Sequence, residues 1–144
     1  SHYTLWETIY NSEEEGIYLI FEDDCKLDID FEIKVKKYIQ KLPDKWDMIW
    51  LGYNKFYGPN NSNIFNKPYD KNEDNKSQIG MNAQHHCYLL NSISFPKFKN
   101  ILFPYLKSTK DNILRRNFDK FDAYFLFEKI AIQDTKTFKL STRT

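Results

Sequence analysis

Three consecutive acidic residues, Glu22, Asp23 and Asp24, have the clearest capacity for chemistry in this sequence. They directly follow the apolar run Ile17–Phe21, which has the length and composition of a strand buried on both faces. Side chains two residues apart in an extended chain point to the same side, so we expect Glu22 and Asp24 to face one point while Asp23 turns away. Converging carboxylates repel each other unless a cation lies between them, and hard oxygen ligands suit Mg²⁺ or Mn²⁺. Such an ion would neutralise a diphosphate and stabilise its departure as a leaving group.

The triplet alone is a weak motif, because acidic residues also follow strands as solvated turn residues or helix caps. Two adjacent histidines, His85 and His86, come just before a later predicted strand. Neighbouring side chains in a strand point to opposite faces, so the two cannot easily bind the same metal ion. One of them could be a third ligand if it reached the acids; the alternative is a pair of partly exposed or core histidines.

The pattern around the acids predicts an α/β fold. Residues 2–10 have helical periodicity, and a second helix is expected over 31–42 with Asp30 as its N-cap. Residues 47–52 predict another buried strand. The order strand, helix, strand leaves a crossover long enough for a parallel pair, so we expect a mostly parallel sheet flanked by helices.

The second half of the chain is less regular. Residues 53–79 are rich in Asn, Lys, Asp and Pro and predict a long loop. Further strands are expected at 86–90 and 129–133, and a helical stripe begins at Phe95. Residues 117–127 predict another helix or helical turn. We found no internal repeat and expect a single domain over residues 1–144.

The composition limits the class of protein. The chain has 144 residues and 21 basic against 20 acidic side chains, without a basic stripe, so nucleic acid is a poor candidate for a partner. The longest apolar runs are about five residues, whereas a membrane span needs roughly 20. Without a visible signal peptide, a cytoplasmic location is favoured. The chain begins at Ser1 rather than Met, so we expect a fragment of a longer protein. Cys25 and Cys87 are interpreted as small buried residues, with a disulfide left open.

An ordered set of short motifs carries more information than any one of them. It consists of Ser1–Trp6, Ile20–Asp24, Asp30-Phe31, Trp46–Gly52, Cys87–Leu90, Asp122 and Gln133. At this spacing the set resembles glycosyltransferase family 25, which includes lipooligosaccharide galactosyltransferases and collagen hydroxylysine galactosyltransferases. The resemblance spans nearly the whole chain. The strand and loop that precede the Ser-His segment in the family are absent from this sequence.

The resemblance implies a GT-A-like, Rossmann-like fold and transfer of a hexose from a UDP-sugar with inversion. The acceptor would be a glycan, a lipid-linked sugar or a protein. Mn²⁺ (or Mg²⁺) would be held through Glu22, Asp24 and the donor diphosphate. Donor-binding roles are implied for three residues: His2, Asp23 and Gln133. Inversion needs a general base, for which Asp122 is the candidate; a solvent-facing acid on a short helix is the alternative for Asp122.

Two other functions stay open at this point. A catalytically silent glycosyltransferase-like module would keep the fold and serve binding or assembly. A metal-dependent nuclease or phosphatase is more distant, because its acids would be spread over several strands and joined by clustered basic residues.

Overall fold

The chain forms a central mixed sheet with helices packed on it, and the computed structural model describes residues 2–53, 56–57, 63–67, 80–81, 86–102, 117 and 120–133. The helices are α1 (His2–Asn11), α2 (Phe31–Ile39) and α3 (Phe95–Leu102), the last preceded by a 3₁₀ turn at Ser92–Ser94. The strands are β1 (Ile17–Phe21), β2 (Cys25–Leu27), β3 (Met48–Trp50), β4 (Phe56–Tyr57), β5 (Phe65–Asn66), β6 (Gly80–Met81), β7 (Cys87–Asn91), β8 (Ala123–Leu126) and β9 (Ala131–Gln133).

The main sheet of the described residues has five strands in the order β1-β7-β3-β8-β5. Strand β7 is antiparallel to both β1 and β3, β3 is parallel to β8, and β5 is antiparallel to β8. The prediction of a mostly parallel sheet is therefore wrong. Strands β1 and β3 do run in the same direction, as the helical crossover requires, but β7 lies between them with the opposite direction. Two smaller antiparallel pairs, β2 with β9 and β4 with β6, complete the described strands.

Apolar clusters cover both faces of the sheet, because alternate side chains of the central strands point to opposite sides. On one face, Met48 and Trp50 pack with residues of α1 and α3. On the other, Ile49 and Leu51 pack with residues of α2. All four side chains are fully buried, which confirms the prediction that the strand within 47–52 is buried on both faces.

Strand β1 differs from this expectation, because it is an edge strand of the sheet. Ile20 is buried, whereas Ile17, Leu19 and Phe21 on the other face are exposed. The apolar run therefore predicted a strand correctly but did not reveal its position at the edge. A continuous apolar run carries no information about which strand lies beside it.

Helices α1, α2 and α3 confirm three of the predicted helices, with α2 ending at Ile39 rather than at residue 42. Asp30 occupies the N-cap position of α2, although its side chain makes no capping hydrogen bond. The prediction of a helix or helical turn over residues 117–127 is wrong, because β8 lies there. Its alternation of buried Ala123 and Phe125 with the partly exposed Tyr124 is the signature of a strand.

The long predicted loop over residues 53–79 lies largely outside the described residues. Its described part contains strand residues, and β5 pairs with β8. The predicted strand 129–133 is observed as the shorter β9, and β2 was not predicted at all. Within the described ranges, no helix combines the length and the apolar character needed to cross a membrane.

Asp47 joins several elements at the amino end of β3. Its carboxylate is 5% exposed and accepts hydrogen bonds from the Ser94 hydroxyl at 2.7 Å, from Lys97 Nζ at 2.8 Å and from the backbone N–H of Asp122 at 2.7 Å. Its backbone oxygen accepts from the Asn91 N–H at 3.0 Å. One buried carboxylate therefore fixes the starts of β3 and β8 relative to the end of β7 and to α3.

We predict that Asp47→Ala lowers the free energy of unfolding by about 3 kcal/mol, because it leaves Lys97 and a buried backbone N–H without their acceptor. Urea denaturation measures this loss. Lys36→Ala is the control, because Lys36 pairs with Glu32 only on the exposed face of α2, and such a pair contributes about 0.5 kcal/mol or less. Equal losses in the two variants would contradict the structural role of Asp47.

Candidate functional site

The three acids lie in a tight turn that connects β1 to β2. The Cys25 N–H donates to the Glu22 carbonyl at 3.0 Å, and the Glu22 N–H donates to the His86 carbonyl at 2.9 Å. Asp23 and Asp24 form the middle of this turn, so the alternation of an extended strand does not apply to them. The Glu22 side chain is 43% exposed, Asp23 is also exposed, and Asp24 is only 2% exposed. The turn therefore presents Glu22 and Asp23 to solvent and directs Asp24 inward, which differs from the expectation that Glu22 and Asp24 face one point while Asp23 turns away.

The register of the strands defines the edge of the sheet at which this turn lies. Phe21 pairs with Cys87, and Trp50 pairs with Tyr88. The residues that follow or precede these pairs bring Glu22, His86 and Gly52 to the same level on three neighbouring strands. This is the carboxyl end of β1, β3 and β8, where open α/β sheets bind their ligands.

Gly52 allows a close approach at this edge. A Cβ atom at Gly52 would lie 2.7 Å from His86 Nε2 and even closer to the backbone oxygen of Ala131. Contacts this short with a side chain and a backbone atom cannot be accommodated without movement. The glycine at the end of the Trp46–Gly52 motif is therefore needed so that His86 and the start of β9 can meet against β3.

His86 is fully buried beside Asp24. Burial lowers the pKa of His86, while the negative charge of Asp24 and the nearby Ala131 carbonyl oppose this lowering and Lys129 adds to it. Neither ring nitrogen makes a hydrogen bond of standard geometry to a described atom, although the Ala131 oxygen is close. A neutral imidazole with one donor and one acceptor is therefore held next to an inward-facing carboxylate.

His2, at the start of α1, reaches the acidic turn from the face of the sheet that α1 covers. Its Nε2 lies 3.7 Å from Glu22 Oε2, and its Nδ1 lies 2.6 Å from the Tyr88 hydroxyl. The Trp6 indole N–H donates to the same hydroxyl at 2.8 Å. The structure thus brings together His2 and Glu22, two of the residues that the sequence predicted for one site.

Gln133 is also brought to this region by its backbone. In the β2–β9 pair, Gln133 is directly opposite Cys25, the residue after Asp24. Residues that were predicted for the donor and metal site therefore lie together at one turn, which contains Glu22, Asp23 and Asp24 and lies beside His2 and the backbone of Gln133. Among the described residues, no group of three or more His, Cys, Asp or Glu side chains has the geometry of a metal site by itself. His85 lies outside the described residues.

Asp122 directly precedes β8, at the end of the strands that is opposite to the acidic turn. Its carbonyl accepts from the Asp47 N–H at 2.8 Å, and its carboxylate is 3.9 Å from Lys97 Nζ. By register it is level with Ile17, five residues before Glu22, which corresponds to roughly 16 Å along the strands. The structure therefore does not bring Asp122 to the acidic turn, and its role as general base stays a prediction.

Sequence reasoning missed the contributions of Tyr88 and Trp6, which it treated as parts of a strand and of the core. A usable signal existed, because the hydroxyl of a tyrosine in a fully buried strand requires a hydrogen-bond partner.

Sequence reasoning also missed that the two cysteines are in contact. A hydrogen bond from the Cys87 thiol holds the pKa of Cys25 below its usual range, against the opposing effects of burial and of the charges on Asp24 and Glu22. The same contact and burial raise the pKa of Cys87. Both cysteines are free thiols.

Comparison with known families identifies the class of protein. Residues 1–94 of the 144 match the family model described as Glycosyltransferase family 25 (LPS biosynthesis protein). The match includes the acidic turn and ends at Ser94, so Asp122 and Gln133 lie beyond it. A match over this share of the chain defines the class of protein, which is a glycosyltransferase. More specifically, the chain belongs to glycosyltransferase family 25, and the resemblance seen in its motifs is confirmed. The chain matches no curated protein.

We predict that Gly52→Ala destabilises the fold by about 1–3 kcal/mol, because the added methyl group overpacks the contact with His86 and Ala131. Gly16→Ala is the matched control, since nothing lies within 4 Å of the added Cβ at that position; we expect a change within about 0.5 kcal/mol. Thermal and urea unfolding measure both values. A Gly52→Ala protein as stable as Gly16→Ala would show that the close approach is not required.

We further predict that iodoacetamide modifies Cys25 in the folded protein, while Cys87 reacts only after unfolding. Cys25 is partly exposed and has a lowered pKa, whereas Cys87 is fully buried, and the thiolate is the reactive form. Mass spectrometry of native and urea-unfolded samples locates the label. In Cys87→Ala, Cys25 should react more slowly because it loses the hydrogen bond that stabilises its thiolate. Equal labelling of both cysteines in the folded state would contradict the described contact.

Proposed function

We propose that this domain transfers a hexose from a UDP-sugar to a glycan, lipid-linked or protein acceptor, with inversion and with the help of Mn²⁺ or Mg²⁺. The observation that carries the proposal is the acidic turn at the carboxyl edge of the sheet, flanked by His2, His86 and Gln133. Membership of glycosyltransferase family 25 supplies the class of reaction. The donor, the stereochemistry and the metal are the parts that the proposal adds.

The distribution of charge at the turn supports a donor diphosphate with a bound cation. Glu22 is accessible, Asp24 is directed inward, and both lie close enough to Cys25 for their charges to act on its thiol. Mg²⁺ and similar ions are usually bound by one or two carboxylates together with substrate phosphates and water. Glu22 and Asp24 are the two acids that would have this role, as the family resemblance implies. When bound, the ion would neutralise the leaving diphosphate.

The chain's own residues have separate tasks in this proposal. Glu22 and Asp24 bind the cation, while Asp23, exposed at the tip of the turn, contacts the donor. His2 lies beside Glu22 and can bind a phosphate oxygen or orient the carboxylate. Gln133, whose backbone lies opposite Cys25 in the β2–β9 pair, is the third donor-binding residue of the proposal.

A GT-A-like fold is part of the proposal. The direction shared by β1, β3 and β8 supports it, as does the location of the acidic turn at the carboxyl ends of these strands. The antiparallel β7 between β1 and β3 is compatible with a mixed sheet that keeps its ligand edge.

A catalytically silent binding module is the second candidate, and one observation favours it. Asp122, the residue predicted as general base, contacts Lys97 and the Asp47 backbone at the far edge of the sheet. Glu128, an acid at the carboxyl end of β8, is held by Tyr38 and Lys34, and the hydrogen bond from Tyr38 lowers the pKa of Glu128. A lowered pKa makes this carboxylate a weaker base.

We predict that the protein releases UDP from a UDP-hexose in the presence of Mn²⁺ and that Asp24→Asn lowers this rate at least 100-fold, by removing one negative ligand of the cation. A coupled assay of UDP release, run over a panel of UDP- and CMP-sugars, measures the rate, and unfolding temperatures report donor binding by linkage. Asp44→Asn, the same substitution at an exposed site remote from the turn, is the control. An unaltered rate in Asp24→Asn would exclude the metal role. Absence of both release and thermal shifts with every sugar would favour the silent module.

We also predict that Asp122→Asn changes the transfer rate by less than about threefold, because its side chain is remote from the turn, while general-base removal typically costs 10²–10⁴-fold. Initial rates with the best donor, together with the urea midpoint, separate chemistry from stability. A 100-fold fall in rate with unchanged stability would restore Asp122 as the general base.

A further inference from the structure

A hydrogen-bonded chain of three side chains leads from the core to the acidic turn. Trp6 Nε1 lies 2.8 Å from the Tyr88 hydroxyl, this hydroxyl lies 2.6 Å from His2 Nδ1, and His2 Nε2 lies 3.7 Å from Glu22 Oε2. We propose that Trp6 and Tyr88 fix the tautomer of His2 and that His2 thereby orients Glu22 toward the cation. The inference deepens the proposed function and rests on it.

The types of donor and acceptor determine the direction of the first hydrogen bond, and the proposal assigns the direction of the second. An indole N–H can only donate, so the Tyr88 oxygen accepts from Trp6. The hydroxyl keeps its own proton, and the proposal assigns the tautomer in which Tyr88 donates this proton to His2 Nδ1 across the 2.6 Å between the two atoms. With Nδ1 as the acceptor, the ring proton of neutral His2 is on Nε2. That N–H points to the carboxylate of Glu22.

Burial holds the inner part of this hydrogen-bonded chain in a fixed arrangement. Trp6 and Tyr88 are both fully buried, and their rings meet edge to face, with an interplanar angle of 83°. Trp6 belongs to α1 and Tyr88 to β7, so the chain joins two elements whose contacting residues are 82 positions apart in the sequence. Its outer end is different, because the His2 side chain is 16% exposed and that of Glu22 is 43% exposed. The buried Trp6 and Tyr88 therefore determine the orientation of the partly exposed His2 and, through it, of Glu22.

The last contact is longer than a direct hydrogen bond. Hydrogen bonds at reaction sites are often long without substrate and tighten when the complex forms. Glu22 is exposed enough to move the short distance that is required. Side chains that hold a metal-binding carboxylate in this way typically change metal affinity 10–100-fold when they are removed. Trp6, Tyr88 and His2 are thus positioning residues, with no contact to the reacting atoms required of Trp6 or Tyr88.

The first experiment measures the tautomer of His2 directly. Long-range ¹⁵N–¹H NMR spectra of the whole protein at pH 8, where an ordinary histidine is neutral, distinguish a proton on Nε2 from one on Nδ1. With three histidines in the sequence, the signals can be assigned by substitution. We expect the Nε2–H form in the wild type and a mixture in Tyr88→Phe. Tyr18→Phe is the matched control, because its hydroxyl donates to the Glu14 carbonyl at the other end of β1. A mixture of tautomers in the wild type overturns the inference.

The second experiment measures the effect on Glu22. The dissociation constant for Mn²⁺ in the presence of UDP, followed by water-proton relaxation, should rise about tenfold or more in Tyr88→Phe and stay unchanged in Tyr18→Phe. His2 is at the surface, so its variants avoid the loss of folding that a core substitution risks. His2→Gln keeps an N–H near Glu22 and should bind Mn²⁺ more tightly than His2→Leu. Equal affinities for His2→Gln, His2→Leu and the wild type overturn the positioning role.

The two experiments separate the inference from the proposed function. If the wild type has the fixed tautomer but binds no Mn²⁺ with UDP, the metal-dependent function is overturned while the hydrogen-bonded chain is supported. If Mn²⁺ binds tightly and the tautomer is mixed, the function is supported and the chain is overturned.

Discussion

The hydrogen bond from the Glu22 N–H to the His86 carbonyl, 2.9 Å long, ends the pairing of β1 with β7 and determines where the acids lie. Immediately beyond it the chain turns, and the Cys25 N–H returns to the Glu22 carbonyl. Because the turn begins at this bond, Asp24 is directed inward to His86 while Glu22 remains accessible beside His2.

The carboxylates at the two ends of the strands differ in their exposure and in their contacts. At the amino ends of β3 and β8, Asp47 has hydrogen bonds from a hydroxyl, an ammonium and a backbone N–H, and its charge stabilises the fold. At the carboxyl ends, Glu22 is exposed and its contact with His2 is long. A carboxylate that is fully occupied by the protein has little capacity left for a ligand. Glu22 and Asp23 are exposed at the carboxyl ends, so a ligand can reach them there.

Local pattern predicted the helices and most of the strands, since apolar periodicity is a property of each segment alone. It could not predict that β7 lies between β1 and β3, because that choice depends on residues some 70 positions apart. For the same reason β1 was expected to be buried on both faces, and residues 117–127 were expected to be helical. The site was predicted in its residue types at Glu22, Asp24 and His2, but the turn geometry and the support from Tyr88 follow only from the tertiary structure.

Asp24 gives the strongest argument that the turn serves more than connection. Removing a carboxylate from water costs several kcal/mol of free energy unless other groups compensate. A turn that only connects two strands does not need a buried carboxylate, because asparagine or serine would form the same backbone turn. The neighbouring buried histidine is held neutral by burial and offers only a dipole. In the proposed function, Asp24 would share a divalent cation with Glu22 and a diphosphate. On that proposal, the buried Asp24 and the exposed Glu22 would together hold one ion at the carboxyl ends of the strands.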